Sequence, residues 1–381
     1  MIDANAFTFV KNDSTNLMTL SSTSQTTTNR AISAVHSLNL TALTSYLHAN
    51  LKGFEGPIEA EPFKGGQSNP TYRLTTPNAV YVMRTKPGPV ARLLPSAHAI
   101  EREFKVMRAL ERTNVPVPKM LCLCEDESII GFAFYVMEFI EGRILWDPAL
   151  PGFEKYQRKS MYEEMNRTIA ALHMVDYGAC GLDGYGRPGN YFERQIARWS
   201  KQYRASITQP IAEMDWLIKW LPEHIPPSNS SPSLSTIVHG DFRLDNLLFH
   251  PTEPRILAVL DWELSTLGHP LADFSYHCLA WHIPPGLFRG LGGMNIAELG
   301  IPSEEEYIRA YCDNTGIFSF EEVQTNWNFY LAYNLFRLAA ILQGIAKRVE
   351  SGTASSDQAV SSAAGAPRLA KLAWEFAQKA P

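Results

Sequence analysis

The sequence predicts an α+β protein in which a small antiparallel-sheet lobe precedes a larger, mainly helical lobe. Segments with strand character dominate the chain up to residue 141, and segments with helical periodicity dominate from residue 142 onwards. In addition, the stretch IVHGDFRLDNLLF at 237–249 places five polar or charged side chains between apolar flanks. Burying so many polar groups is costly unless they are paired or bind something, so this stretch indicates a functional site.

The predicted N-terminal lobe, residues 36–141, combines strand-like segments with two amphipathic helices. The helices are predicted over 38–51 and 97–112, where apolar side chains recur at helical spacing. The strand-like segments are 58–76, which includes a glycine-containing turn, 79–86, 115–126 and 131–142. This succession predicts a small sheet that carries one prominent helix.

Helical patterning dominates the predicted C-terminal lobe, residues 142–381. A helix starts near Glu154, and the chain from Glu304 onwards is nearly all helical. Between them lie a Pro- and Ser-rich loop and a strand over 254–263 that ends in acidic residues. Residues 1–35 include a long Ser- and Thr-rich run with almost no charge, so we expect a disordered leader there.

Composition argues against several function classes. The chain has 381 residues, of which 34 are basic and 39 acidic, and its net charge of −5 gives no support for a nucleic-acid partner. No apolar run is expected to be long enough to cross a bilayer. The five cysteines are scattered, as in a reducing compartment. We therefore expect a cytoplasmic protein without nucleic-acid or membrane partners, and we expect it to be a monomer or a homodimer.

Three side chains with oxygen atoms are spaced so that a hairpin can bring them together. Asn246 lies five residues after Asp241, and Asp261 lies twenty residues after Asp241. The intervening HPTEP predicts a turn between two strands, so the ends of the hairpin converge. Carboxylate and amide oxygens of this kind suit Mg²⁺ that is bound through the phosphates of a substrate.

The same residues carry a resemblance to known phosphotransferases. HGD-x-x-x-x-N followed by DWE is similar to the protein-kinase catalytic loop H-R-D-x-x-x-x-N and its later D-F-G, with Gly240 replacing the Arg. The stretches VHGDFRLDNLLF, LDWELSTLGHPLADFSY and FKGGQSNPTYRL resemble the aminoglycoside phosphotransferase and choline kinase superfamily, in particular the kinase-like domains fused to some acyl-CoA dehydrogenases. The resemblance extends over about residues 38–348 and implies a protein-kinase-like two-lobed fold.

The resemblance also implies roles for individual residues. Asp241 would be the catalytic base that orients and deprotonates the acceptor hydroxyl, and Asn246 and Asp261 would hold Mg²⁺ on the phosphates of ATP. His239 would brace the loop, and Asp273 would hydrogen-bond the loop backbone from the next helix. The other implied nucleotide contacts form a turn over the phosphates or lie beside the adenine: Gly65, Gly66, Gln67, Ser68, Asn69, Glu138 and Ile140.

Two features depart from the kinase pattern. The phosphate turn reads GGQSN where protein kinases have G-x-G-x-x-G. The strand that should supply a lysine reads YVMR, which places Arg84 there, with Lys86 on the same strand face as the alternative. Arginine binds phosphate as a planar fork and differs from lysine in geometry. Glu103 is the expected ion-pair partner of Arg84, while Glu101, about 200° around the same helix, is expected to be solvated.

The leading hypothesis is an ATP- and Mg²⁺-dependent kinase that phosphorylates a hydroxyl of a small metabolite. The segments expected to form the acceptor wall, 181–199, 277–294 and 326–337, contain more basic than acidic residues and many aromatic ones. This composition favours an acceptor with an apolar body and an anionic end, such as a hydroxylated acid or a hydroxyacyl-CoA. Two alternatives stay open: an aminoglycoside-type antibiotic kinase, and a non-catalytic kinase fold that serves as a binding module.

Overall fold

Five strands in the N-terminal part of the chain form one antiparallel sheet. The computed structural model describes residues 38–63, 69–87, 99–227, 231–352 and 364–381, so the predicted leader lies outside the described residues. The strands are β1 Glu59–Pro62, β2 Thr71–Thr75, β3 Val80–Thr85, β4 Met120–Cys124 and β5 Phe134–Glu138. They pair in the order β1-β2-β3-β5-β4, so β3 lies in the middle of the sheet.

Two helices accompany this sheet at the predicted places. They are α1, Leu40–Asn50, and α2, Ile100–Leu110. The buried face of α2 contains four apolar residues at helical spacing and one charged residue, Glu103. A charge on the buried face of a helix requires a partner, because an unpaired buried carboxylate is costly.

The remainder of the chain is mainly helical. Its helices are α3 Lys155–His173, α4 Tyr191–Ala205, α5 Ala212–Glu223, α6 Pro270–Cys278, α7 Ile296–Leu299, α8 Glu304–Thr315, α9 Phe320–Glu350 and α10 Ala366–Ala377. Capping boxes begin α8 and α9, where Ser303 pairs with Glu306 and Ser319 with Glu322. Helix α9 packs against α4, α6 and α10, and it forms the centre of this lobe.

Helix α9 is long and apolar enough to cross a membrane by length and composition, in contrast to the sequence-based expectation. In the described part of the chain, 89% of its most apolar window is buried inside the protein. Its apolar character therefore reflects its position in the core of the helical lobe, where neighbouring helices cover it on several sides.

Short strands position the HGD segment between the two lobes. They are β6 Arg143–Ile144, β7 Thr236–Val238, β8 Leu247–Phe249, β9 Ile256–Val259 and β10 Thr266–Gly268. Strands β6, β8 and β9 form one small sheet, and β7 pairs with β10. The predicted hairpin is the β8–β9 pair, and we call residues 239–246, between β7 and β8, the HGD loop.

The predicted α+β fold class, with a small antiparallel sheet and a mainly helical remainder, is confirmed. The chain leaves the N-terminal sheet at Glu138 and enters the second sheet at Arg143, on either side of the predicted lobe boundary at 141–142. The observed strands are shorter than the predicted segments. Strand β9 ends at Val259, because Asp261 adopts a left-handed backbone conformation with φ of +64°.

Candidate active site

The backbone of the HGD loop is held by side chains from two helices. Asp273 on α6 accepts the His239 N–H at 2.6 Å and the Gly240 N–H at 2.8 Å, which confirms the predicted contact. Arg337 on α9 donates to the Gly240 carbonyl. Gly240 has φ of +83°, and a Cβ there would lie 2.8 Å from the Leu264 carbonyl oxygen, so glycine is required.

His239 has the bracing role that the resemblance implied. Its Nδ1 accepts the Asp241 N–H at 3.2 Å, and its Nε2 donates to the Leu260 carbonyl at 2.9 Å. The ring packs edge-on against Trp262, with 4.8 Å between ring centroids. With both nitrogens bonded to backbone and no exposed surface, His239 connects the HGD loop to the end of the β8–β9 hairpin.

Asp241 is 2% exposed, and both of its carboxylate oxygens receive hydrogen bonds. Oδ1 accepts from the Tyr276 hydroxyl at 2.7 Å and lies 2.9 Å from Arg243 Nε. Oδ2 accepts from Arg243 Nη2 at 3.2 Å and from Asn246 Nδ2 at 3.1 Å. Burial raises the pKa of Asp241, and Arg243 opposes that rise. An oriented carboxylate with a raised pKa has the properties of a general base.

The hairpin places Asn246 next to Asp261, as the spacing predicted. The Leu260 N–H, immediately before Asp261, donates to the Asn246 carbonyl at 2.8 Å. Asn246 Nδ2 donates to the Asp241 carbonyl at 2.8 Å, so the amide nitrogen is hydrogen-bonded within the loop. The amide oxygen is then the atom of this side chain that is suited to bind a cation. The Asp261 side chain is 31% exposed. Its left-handed backbone is a strained conformation of the kind that clusters at functional sites.

Arg84 on β3 lies among three carboxylates. Its Nε is 3.0 Å from Glu103, so the predicted ion pair between the strand and α2 is present. Its Nη2 is 2.9 Å from Asp261 and 3.8 Å from Glu263. Tyr135 also donates to Glu103, at 3.1 Å. Burial raises the pKa of Glu103, while Arg84 lowers it. This cluster connects the N-terminal sheet to the end of the β8–β9 hairpin.

The prediction that Glu101 is simply solvated was wrong. Lys86 Nζ lies 3.1 Å from a Glu101 carboxylate oxygen, and both side chains are about one-third exposed, at 33% and 37%. Strand β3 ends at Thr85, so Lys86 no longer follows the strand alternation and turns toward the start of α2. Lys86 therefore belongs to a surface ion pair, and Arg84 is the residue that lies inward at the junction.

The charge of the Arg84 cluster fits a bound cation. Glu103 and Asp261 against one guanidinium leave an excess of negative charge, and Oε2 of the third acidic side chain, Glu263, is buried without a hydrogen-bond partner in the described residues. Burial, and then the nearby Asp261, raise the pKa of Glu263 to about 8. Among the described residues, no three His, Cys, Asp or Glu side chains converge as a metal cage. The Asp261 carboxylate and the Asn246 amide oxygen are a donor set that fits an ion such as Mg²⁺, which takes one or two protein carboxylates together with substrate phosphates.

The other predicted nucleotide contacts are only partly described. Gly65, Gly66, Gln67 and Ser68 lie outside the described residues. Asn69 is buried, and its Nδ2 donates to Glu103 at 2.9 Å, so its side chain supports the ion pair. Glu138 ends β5 and accepts the Lys119 N–H at 2.8 Å. Ile140 packs against a small apolar cluster of β8 and β9. The predicted contacts of these residues with ATP stay predictions.

A cavity of about 50 Å³ lies beside Asp241. Arg243 and Tyr276 both hydrogen-bond to Asp241 and line this cavity. Its walls are mostly apolar and aromatic, and its charged lining residues form a short chain. Asp245 lies 3.2 Å from Arg243 and is also paired with Arg289, whose guanidinium sits 4.6 Å from the centre of the Trp146 ring. The further lining residues are Pro148, Tyr162, Met165, Leu244, His277, Leu279, Ala280, Ile283 and Phe288.

Only one of the three predicted acceptor segments, 277–294, contributes to this cavity. In 181–199 and 326–337 the aromatic side chains pack inside the helical lobe: Phe192 contacts Phe329 and Tyr330, and all three are buried. The prediction was wrong for these side chains. Aromatic residues at helical spacing occur equally on a buried helix face and on the wall of a binding site.

Sequence reasoning did not assign roles to Tyr276 or Trp146, which the structure places at the site. For Tyr276 a signal was present, since it lies three residues after Asp273 on α6 and therefore on the same helix face. Asp273 was already predicted to face the HGD loop. For Trp146, in the connection after β6, no comparable pattern exists.

These features together define a kinase-fold phosphotransferase. A small antiparallel sheet with an Arg–Glu ion pair lies over a helical lobe, and a loop with Asp241 and Asn246 meets Asp261 where the two lobes join. The sequence matches the phosphotransferase enzyme family over residues 59–318, and the chain belongs to that family. The family is one of phosphotransferases.

Comparisons with individual proteins agree with this membership. A solved structure from Ralstonia eutropha, named a candidate aminoglycoside phosphotransferase, is 56% identical with a TM-score of 0.83, covering 90% of this chain and 99% of that one. Acyl-CoA dehydrogenase family member 10 of Mus musculus is 50% identical over 89% of this chain and 31% of its own length. Choline kinase from Cryptosporidium parvum, at 13% identity, has the same fold, with a TM-score of 0.60 and coverage of 89% of this chain and 94% of that chain.

The resemblance predicted from the sequence is therefore confirmed. The curated relatives are longer proteins: the chain spans 31% of the Mus musculus protein and 44% of acyl-CoA dehydrogenase family member 11 of Rattus norvegicus.

We predict that Arg84→Ala weakens ATP binding by about tenfold or more, the usual effect of losing a hydrogen bond to a charged group. Lys86→Ala should have a smaller effect, since Lys86 is partly exposed and paired with Glu101. Calorimetric titration with Mg-ATP measures both variants. Because Arg84→Ala also leaves Glu103 unpaired, the unfolding temperature of each variant is recorded. A larger loss in Lys86→Ala would show that Lys86 binds the phosphates.

We predict that Asp261→Ala abolishes the metal-dependent part of nucleotide affinity. Glu263→Gln is the matched control and should have a smaller effect, because the Glu263 side chain is 14% exposed and that of Asp261 is 31% exposed. The measurement is nucleotide titration with Mg²⁺ and again with a chelator. Equal effects of the two substitutions would mean that Asp261 is not the principal ligand.

Proposed function

We propose that this protein transfers the γ-phosphoryl group of ATP, in the presence of Mg²⁺, to a hydroxyl of a small metabolite. The acceptor would have an apolar body and an anionic end, such as a hydroxylated acid or its CoA thioester. The observation that carries this proposal is the mostly apolar cavity beside Asp241, which includes the guanidinium groups of Arg243 and Arg289.

The nucleotide side of the site would use residues from both lobes. Arg84 would bind phosphate oxygens. Asn246 and Asp261 would hold Mg²⁺, which supplies positive charge to the transferred phosphoryl group. The excess of carboxylates around Arg84 supports this assignment, because a polyanionic nucleotide needs cations to approach it.

Asp241 would accept the proton of the acceptor hydroxyl as the acceptor oxygen attacks phosphorus. Its carboxylate is oriented by Tyr276 and Asn246, and its raised pKa makes it a better proton acceptor than an exposed aspartate. Arg243 is bonded to Asp241 and to Asp245, so it has a second carboxylate partner if an acceptor displaces it.

The chemistry of the cavity favours an anionic acceptor over a polycation. Asp245 is the acidic lining residue, and it is already paired with two arginines, so it offers little to an ammonium group. Guanidinium forks match carboxylate and phosphate groups. Acyl-CoA dehydrogenase appears in the names of several relatives, which supports an acyl acceptor.

Two other functions are less well supported. The Ralstonia eutropha neighbour is named for aminoglycosides, but an aminoglycoside site needs several free carboxylates, and this cavity does not provide them among the described residues. A non-catalytic binding module is disfavoured because Asp241, Asn246 and Asp261 are all present and converge. Turnover of ATP with an acceptor separates a kinase from a binding module, whereas ATP binding alone does not.

We also propose a cytoplasmic location and a monomeric or homodimeric state. The five cysteines are all free, and four of them are buried, which is compatible with a reducing compartment.

We predict that Asp241→Asn retains the fold and nucleotide binding but lowers turnover by about 10²–10⁴, the contribution of a positioned acid–base group. The assay follows ADP release with the acceptors described below. Asp313→Asn, an exposed aspartate on α8, is the control and should be unaffected. Near-normal turnover in Asp241→Asn would remove Asp241 from the proposed role.

We predict phosphorylation of hydroxylated acids or their CoA thioesters, and little or none of kanamycin. A panel of hydroxy acids, their thioesters and aminoglycosides is incubated with Mg-ATP, and phosphorylated products are identified by mass spectrometry. In Arg289→Met the KM for an anionic acceptor should rise by about tenfold, with the KM for ATP unchanged. Efficient phosphorylation of kanamycin, with the acids and thioesters inert, would overturn this acceptor assignment.

A further inference from the structure

The Asp241 carboxylate is held from two directions. Arg243 and Asn246 of the HGD loop bond to it from its own segment, at 3.2 Å and 3.1 Å, and Tyr276 donates from α6 at 2.7 Å. We propose that Tyr276 is a positioning residue that aims the Asp241 carboxylate at the acceptor hydroxyl. This inference rests on the proposed role of Asp241 as the base.

Tyr276 is buried and packed within the helical lobe. It is 3% exposed, and the Arg337 guanidinium lies 4.9 Å from the centre of its ring. Helix α6 is itself held by Asn334 of α9, which donates to the Ala272 carbonyl at 2.9 Å and to Ser275 at 2.8 Å. The phenol hydroxyl therefore has a defined position relative to the helical lobe.

Arg243 differs from Tyr276 in having a second carboxylate partner. It bonds to Asp241 and also lies 3.2 Å from Asp245, and the side chains of both Arg243 and Asp245 line the cavity. Each oxygen of Asp241 already receives two contacts, so an acceptor hydroxyl has to displace one donor. Arg243 can move away from Asp241 and still keep its ion pair with Asp245. Tyr276 would then hold Oδ1 and keep the carboxylate in its orientation while the acceptor binds.

The test is Tyr276→Phe, which removes the hydroxyl and keeps the ring beneath Arg337. We expect kcat to fall by about ten- to hundredfold, because small displacements of a reacting group are costly, while the KM for ATP stays unchanged. The probes are Mg-ATP with 3-hydroxybutyrate and its CoA thioester, or ATP hydrolysis by water if neither is phosphorylated. Tyr203→Phe is the control, since this buried tyrosine bonds the Ile211 backbone away from the site.

A double variant separates positioning from general structural support. If Tyr276 acts through Asp241, adding Tyr276→Phe to Asp241→Asn should cause little further loss of kcat. Unchanged kcat in Tyr276→Phe, an equal loss in Tyr203→Phe, or additive losses in the double variant would each overturn the proposal. If Asp241→Asn itself retains normal turnover, the base assignment fails instead, so the two failures are distinguishable.

Discussion

The ion-pair cluster around Arg84 is the constraint on which the two-lobed arrangement depends. Arg84 on the N-terminal sheet lies 3.0 Å from Glu103 and 2.9 Å from Asp261, so one guanidinium connects a strand, a helix and the β8–β9 hairpin. Glu103 is 1% exposed, and removing its cation would leave a buried charge uncompensated, at a cost of about 3–5 kcal/mol. The position of β3 over the hairpin is thus set by charge pairing as well as by apolar contact.

The conformation of the HGD loop is fixed in a different way. Buried polar side chains of α6 and α9 form hydrogen bonds with the loop. Asp273 binds two loop N–H groups, Arg337 binds a loop carbonyl, and Tyr276 binds the Asp241 carboxylate. Burial would raise the pKa of Asp273, but bonds from His173 and the loop backbone hold it below its usual range. Polar groups that are fully bonded in a core rigidify it, which is what a site with a fixed geometry requires.

Features that depend on the spacing of residues along one or two secondary-structure elements could be predicted from the sequence. The hairpin joining Asn246 to Asp261 follows from their spacing. The pair of Arg84 with Glu103 follows from the resemblance to the kinase strand that carries a lysine, together with helix periodicity. The partner of Glu101 was missed because Lys86 lies just beyond the end of β3, where alternation no longer applies. The cavity beside Asp241 was predicted only for segment 277–294, since the rest of its lining comes from segments far apart in the chain whose approach depends on tertiary packing.

The two sides of the site differ in their balance of charge. On the proposed nucleotide side, one guanidinium faces three acidic side chains, so a polyanion would bind there together with cations. On the acceptor side, Arg243 and Arg289 are matched by Asp241 and Asp245. An acceptor with an anionic group can take over a guanidinium from Asp245 and preserve the number of ion pairs, whereas a cationic acceptor would have to break those pairs without replacing them. Under the proposed function the cavity would therefore discriminate between acceptors by the exchange of ion-pair partners, which a fold comparison alone does not reveal.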